Sequence, residues 1–153
     1  MAEESYNAYL EALKAEHRQL GQMVGQAEAA LAAAAGQGWT GQRATHVVEQ
    51  LIALRDLMRE HFAQEEAGGY LEEALSHAPR LGPQAARLER QHPQLLARIS
   101  DVCDLARKRH DDPSAWPAIH ENARGAIKEL LAHEGGENQL VQQAFNVDLG
   151  LTD

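Results

Sequence analysis

Apolar side chains recur every seven residues in four separate segments of this 153-residue chain. This spacing places an apolar stripe along one side of an α-helix, and a sustained stripe indicates a helix that packs against other helices. Examples are Leu13, Leu20, Ala27 and Ala34; Leu51 and Met58; Leu81, Leu88, Leu95 and Val102; and Ile119 and Ala126. Alanine, leucine and glutamate supply 62 residues, whereas valine, isoleucine and threonine supply 13, so the composition argues against an all-β domain.

Turn-forming residues separate the four segments. Glycines surround Trp39, Gly68-Gly69 weakens the second segment, Pro79 to Pro83 form a linker, and Asp111-Asp112-Pro113 opens the last segment. The predicted helices are residues 5–35, 40–66, 83–110 and 114–145, with a short turn continuing the second as far as His77. Long helices joined by short loops predict an all-α, up-down-up-down four-helix bundle in a single domain of residues 1–153.

Charge and composition exclude several classes of function. The formal net charge is −9, and no basic patch is available to neutralise nucleic-acid phosphates. The longest apolar run, Ala29 to Ala35, is far shorter than the roughly 20 residues that cross a bilayer. The N-terminus lacks the pattern of a signal peptide, and Cys103 is alone, which precludes an intrachain disulfide. We therefore expect a cytoplasmic protein that binds neither nucleic acid nor membrane.

Each predicted helix carries one histidine at a core-facing position: His17, His61, His92 and His133. In antiparallel helices, two residues at one level are equidistant from the loop that joins them. The midpoints of consecutive pairs fall at positions 39, 76.5 and 112.5, in or beside the predicted turns. The four imidazoles should therefore meet in one layer of the core, where a metal ion would give each ring nitrogen a partner.

Two of these histidines are followed by a glutamate four residues later, Glu65 after His61 and Glu137 after His133. That spacing puts both side chains on the same helical face. The arrangement repeats, because His17 precedes His61 by 44 residues and His92 precedes His133 by 41. Nitrogen and oxygen donors without thiolate favour iron or manganese.

This pattern resembles the hemerythrin-like family, also called the HHE cation-binding domain, from His17 to Glu137. The resemblance implies a non-haem di-iron centre, although manganese or zinc is also possible. His17, His61, His92 and His133 would be terminal ligands, and Glu65 and Glu137 would bridge the two metals.

The chain departs from oxygen-carrying hemerythrins in two places. Those proteins have a second histidine four residues from the one on the third helix, but Leu88 and Leu96 flank His92 here. One iron would then be more open, which makes simple oxygen carriage doubtful. Gly135-Gly136 also interrupts the last motif, so Glu134 becomes a candidate ligand. Glu89, three residues before His92, is a further candidate.

The expected small ligands are dioxygen, nitric oxide or peroxide, and three functions remain open. The first is sensing, binding or iron handling; the second is an oxidoreductase that consumes peroxide. The third is a metal-free helical interaction bundle. A ferritin-like carboxylate site fits less well, since only Glu89-x-x-His92 has its Glu-x-x-His motif. The oligomeric state is not predicted.

Overall fold

The computed structural model describes residues 2–39, 41–67 and 70–145, and all regular structure in these ranges is helical. The four long helices are α1 (Ala2–Gln37), α2 (Gly41–Glu66), α4 (Gly82–Arg109) and α5 (Trp116–Phe145). A short helix, α3 (Tyr70–His77), follows α2, and 3₁₀ turns at Pro79–Leu81 and Pro113–Ala115 lead into α4 and α5. The all-α four-helix bundle predicted from the heptad spacing is confirmed. Residues 146–153 of the predicted domain lie outside the described part.

Glycine conformation determines where the first helical hairpin turns. Gly38 has a φ of 114° and Gly41 a φ of 58°, values that residues with a Cβ atom rarely adopt. α1 therefore ends at Gln37, and α2 begins three residues after Gly38. In the connection between α4 and α5, the side chain of Asp112 accepts a hydrogen bond from the backbone N–H of Ser114. This bond orients the start of the 3₁₀ turn before α5.

Neighbouring long helices pack in chain order, α1 on α2, α2 on α4 and α4 on α5. α5 also contacts α1, which closes the bundle, and it contacts α3, which lies at one end. Within the described ranges, none of these helices is both long and apolar enough to cross a bilayer.

A layer of buried polar side chains divides the apolar core into two clusters. The larger cluster contains Leu20, Leu54, Ile99 and Leu130, and the smaller one contains Leu13, Ala74, Leu88 and Leu140. Between them lie the buried polar residues His17, His61, Glu65, His92, His133, Glu134, Glu137 and Asn138. A buried leucine contributes about 2 kcal/mol to stability, whereas a buried polar group requires a compensating partner. The bundle is therefore built around a layer that apolar packing alone does not stabilise.

The end of the bundle next to the first loop is closed by two tryptophans. The rings of Trp39 and Trp116 stack with their centroids 4.5 Å apart and their planes 8° apart. The indole Nε1 of Trp116 donates a hydrogen bond to the carbonyl oxygen of His110 at 2.8 Å, so its polar atom is satisfied despite full burial.

The thiol of Cys103 provides a test of how tightly the larger cluster is packed. The side chain is fully buried, and burial raises the pKa of the thiol to about 11. At pH 8, we expect an aromatic disulfide reagent to react with native Cys103 at least about 100-fold more slowly than with the urea-unfolded chain. The release of coloured thiolate measures the rate, and Cys103→Ala supplies the blank. Equal rates in native and unfolded protein would contradict this packing.

Candidate metal centre

The six side chains predicted as metal ligands come together in the polar layer. α1 supplies His17, α2 supplies His61 and Glu65, α4 supplies His92, and α5 supplies His133 and Glu137. All six are buried, and even the most accessible of them, His17, is only 9% exposed. The midpoint argument anticipates this convergence, because each loop lies halfway between the histidines of the two helices it joins.

Glu65 lies between histidines of two different helices. Its Oε1 is 2.7 Å from Nε2 of His61, and its Oε2 is 2.9 Å from Nε2 of His92. The two oxygens of one carboxylate thus face separate imidazoles. A carboxylate in this position has the geometry needed to connect two cations.

Glu137 makes a similar connection between the other two histidines. Its Oε1 is 2.7 Å from Nε2 of His133, and its Oε2 is 3.7 Å from Nε2 of His17. The two His-x-x-x-Glu motifs therefore place their glutamates alike, each beside the histidine of its own helix and a histidine of another.

The donor atoms form two overlapping groups, in each of which all atoms lie within 4.8 Å of one another. The first group contains Glu65, His92, His133 and Glu137, and the second contains His17, His61 and Glu137. Both oxygens of Glu65 and of Glu137, and Nε2 of His92 and of His133, are buried. Within the described part of the chain they approach one another as ion pairs, but no well-aligned hydrogen bond satisfies them. Burying such atoms is unfavourable unless something binds them, so this donor set fits one or two cations.

The close contacts between acids and imidazoles also change their pKa values. Burial alone would lower the pKa of His61, but the adjacent Glu65 outweighs it and raises that pKa to about 9. Glu65 and Glu66 likewise outweigh burial at His92 and raise its pKa. Burial alone would raise the pKa of Glu137, yet its contacts with His133 and His17 bring it below the usual range. These contacts favour the ionised form of Glu137, which is the form that binds cations.

Three polar side chains that the sequence did not single out orient the imidazoles. Nδ1 of His61 contacts Oε2 of Glu16 at 2.6 Å, and Nδ1 of His133 contacts Oε1 of Gln91 at the same distance. Nδ1 of His92 lies 3.1 Å from Oε1 of Glu66. Each ring, donating from Nδ1 to such an oxygen, is held with Nε2 facing the centre, as in metal sites where an outer acceptor fixes the histidine.

These acceptors follow a simple rule of position. Glu16 precedes His17, Glu66 follows Glu65, and Gln91 precedes His92, yet each bonds to a histidine on the next long helix. Adjacency to a ligand was the only signal in the sequence. It was insufficient, because it does not tell which neighbouring helix the side chain faces.

Phe62 was also missed, although it packs directly against the imidazoles. Its ring stacks on His92 with centroids 4.1 Å apart and planes 6° apart, and it meets His133 edge-on at 5.4 Å. Phe62 is 1% exposed. It limits both the rotation of these two rings and the access of water between them.

The two additional candidates, Glu89 and Glu134, occupy different environments. Glu89 is exposed and is outside both donor groups. Glu134 is buried, and burial raises the pKa of its carboxyl to about 7. It is also outside both groups, but it interacts electrostatically with His17 and His61, and its Oε1 has no hydrogen bond to any described residue.

The glycine pair that follows Glu134 does not interrupt α5, which is helical from Trp116 to Phe145. A Cβ atom on Gly136 would lie 2.9 Å from Cδ2 of Leu88, whereas one on Gly135 would meet no atom within 4 Å. Gly136 therefore leaves space for the side chain of Leu88 beside the site.

Comparison with known proteins agrees with this geometry. The sequence model of one protein family, the hemerythrin HHE cation binding domain, matches residues 8–145. No curated protein and no solved structure matched the chain. The matched region includes α2, α4 and α5, all of α1 except its first six residues, and every residue of both donor groups, and the chain therefore belongs to the hemerythrin HHE cation-binding domain family.

Proposed function

We propose that this protein holds a di-iron centre in the polar layer of the bundle. His92 and His133 would bind one ion, His17 and His61 the other, and Glu65 and Glu137 would be shared. The observation that carries this proposal is that each of these glutamates lies between histidines from two different helices. Two carboxylates, together with a bridging oxide or hydroxide, would also offset much of the charge of the two cations in an apolar interior.

The donor set supports iron over metals that prefer sulfur. Imidazole nitrogen and carboxylate oxygen suit iron and manganese, and the one cysteine, Cys103, belongs to the larger apolar cluster. Zinc accepts the same donors and remains an alternative occupant. Glu134 is a candidate for an additional oxygen ligand near His17, whereas the exposure of Glu89 favours a role outside the centre.

Small ligands would bind where the protein leaves coordination positions open. Two histidines and two shared glutamates give each ion about four protein donors, fewer than the six of an octahedral iron site. Leu88 and Leu96 flank His92 and provide no further donor. A bound di-iron centre supplies affinity for dioxygen, nitric oxide or peroxide, and we propose binding or sensing of such a molecule, or iron handling, in the cytoplasm.

Glu134 favours a second candidate, an oxidoreductase that consumes peroxide. Its buried carboxyl interacts with His17 and His61, and it is not one of the six main ligands proposed above. A carboxyl held beside a reaction centre can supply a proton to a leaving oxygen. In this case Glu134 would contribute to turnover, whereas in a binding protein it would only support the centre.

The first test is metal content and spectrum. Untagged protein produced with ample iron should contain about two iron ions per chain and, after air oxidation, show near-ultraviolet bands that disappear on reduction. Glu137→Ala should reduce the content below one ion, because Glu137 belongs to both donor groups. His46→Ala, which alters an exposed histidine of α2, should change nothing. Negligible iron, manganese and zinc in the wild type would favour the metal-free bundle.

The second test concerns the acceptor behind His61. Glu16→Leu removes the oxygen that holds Nδ1, so we expect metal affinity, measured by competition with a chelator, to fall about 10- to 100-fold. Glu16→Gln retains an acceptor oxygen, so its metal affinity should fall less than that of Glu16→Leu. Glu11→Leu, an exposed change on the same helix, is the control. Equal affinities for Glu16→Leu and Glu11→Leu would refute the orienting role.

The third test separates binding from catalysis. Steady-state peroxide consumption should be slow and nearly the same in wild type and His61→Ala if the protein only binds or senses its ligand. Fast turnover that His61→Ala abolishes, and that Glu134→Gln lowers by about 100-fold or more without changing iron content, would establish the enzyme. An oxygen electrode follows the reaction if dioxygen is released, and peroxide absorbance follows it otherwise.

A further inference from the structure

A cavity of about 260 Å³ leads from the surface to one side of the polar layer. Its inner wall includes Glu65 and His92, and its other charged lining residues are Glu66, Glu72 and Glu89. The remaining lining residues are small or apolar and come from α3 and α4. We call this cavity the acidic vestibule, defined by Glu65, Glu66, Glu72, Glu89 and His92.

The outer part of the vestibule carries only negative charge. Glu66, Glu72 and Glu89 are all exposed, and no lysine or arginine is among the described residues that line the cavity. Carboxylates of one sign around a narrow opening concentrate the field and raise the local concentration of cations. Neutral molecules such as dioxygen gain nothing from this field.

The inner wall provides the second observation. Glu65 is 8% and His92 1% exposed, and both line the cavity. Both oxygens of Glu65 and Nε2 of His92 are buried. Oε2 of Glu65 lies 2.9 Å from that Nε2, but no well-aligned hydrogen bond to a described residue satisfies these atoms. The acidic opening therefore leads to buried donor atoms of the kind that bind a divalent cation.

A second cavity on the other side of α4 has a different character. It has a volume of about 410 Å³ and reaches His133 beside Gly136. Arg87 and three glutamines, Gln84, Gln91 and Gln94, contribute to its lining, and Glu129 is its only carboxylate among the described residues. Of the two openings, the vestibule is the one whose charge suits a cation.

We propose that the acidic vestibule is the entrance through which a divalent cation reaches the centre, with Glu72 and Glu89 attracting the ion and Glu65 and His92 receiving it. This inference rests on the proposed metal centre. Glu66 has a separate task as well, because it holds Nδ1 of His92. The vestibule thus assigns Glu89, which lies outside the donor groups, to metal uptake.

Stopped-flow absorption can measure uptake when metal-free protein is mixed with Co²⁺, whose visible bands appear on binding. The variant Glu72→Gln/Glu89→Gln should take up the ion about tenfold more slowly at low ionic strength, yet bind as much at the end. The control Glu49→Gln/Glu121→Gln makes the same change in net charge at exposed positions outside the vestibule, and it should behave like the wild type. Glu66 is left intact to keep His92 oriented.

Salt dependence provides a second readout. Added salt should slow uptake by the wild type, because it screens the attraction between the cation and the carboxylates of the vestibule. It should have less effect on Glu72→Gln/Glu89→Gln, in which most of that attraction has already been removed. Glu72→Lys/Glu89→Lys should be slower still. Equal uptake rates for the vestibule variants and the control would refute the proposed entrance but not the proposed metal centre. If the wild type binds no Co²⁺, Fe²⁺ or Mn²⁺, the metal centre itself is refuted, and the entrance with it.

Discussion

Two buried carboxylates, Glu65 and Glu137, connect the four long helices at a single level. Each lies beside a histidine of its own helix and one from another helix, so Glu65 links α2 with α4 and Glu137 links α5 with α1. Burying acids and imidazoles in the interior is unfavourable in free energy unless their lone pairs bind a cation or accept hydrogen bonds. The arrangement is therefore best understood as a site for cations, with the two apolar clusters above and below it supplying the stability of the fold.

The surroundings of these donors restrict how they can move. Glu16, Glu66 and Gln91 hold three of the imidazoles from behind, and Phe62 packs on two of the rings. Each acceptor bonds to a histidine of the following long helix, so the orientation of one ligand depends on the packing of its neighbour. This coupling preorganises the layer, which lowers the free energy needed to order the ligands on binding.

The two cavities that reach the polar layer differ in the charge of their lining residues. The acidic vestibule reaches Glu65 and His92, whereas the cavity lined by Arg87 and glutamines reaches His133. A small bundle has little room to separate the entry of metal from the entry of a ligand. An acidic opening on one side of α4, and on the other side an opening where Arg87 balances Glu129, would allow that separation without any change in the fold.

The sequence alone determined the helical class, the bundle and the shared level of His17, His61, His92 and His133. It could do so because heptad spacing reports the buried face of a helix, and loop midpoints report depth along it. Only the tertiary structure decided which histidines share a carboxylate, that Glu16, Glu66 and Gln91 are acceptors, and that Glu134 is buried while Glu89 is exposed. Those features depend on lateral packing and side-chain rotamers between helices, and periodicity along one helix carries no information about either.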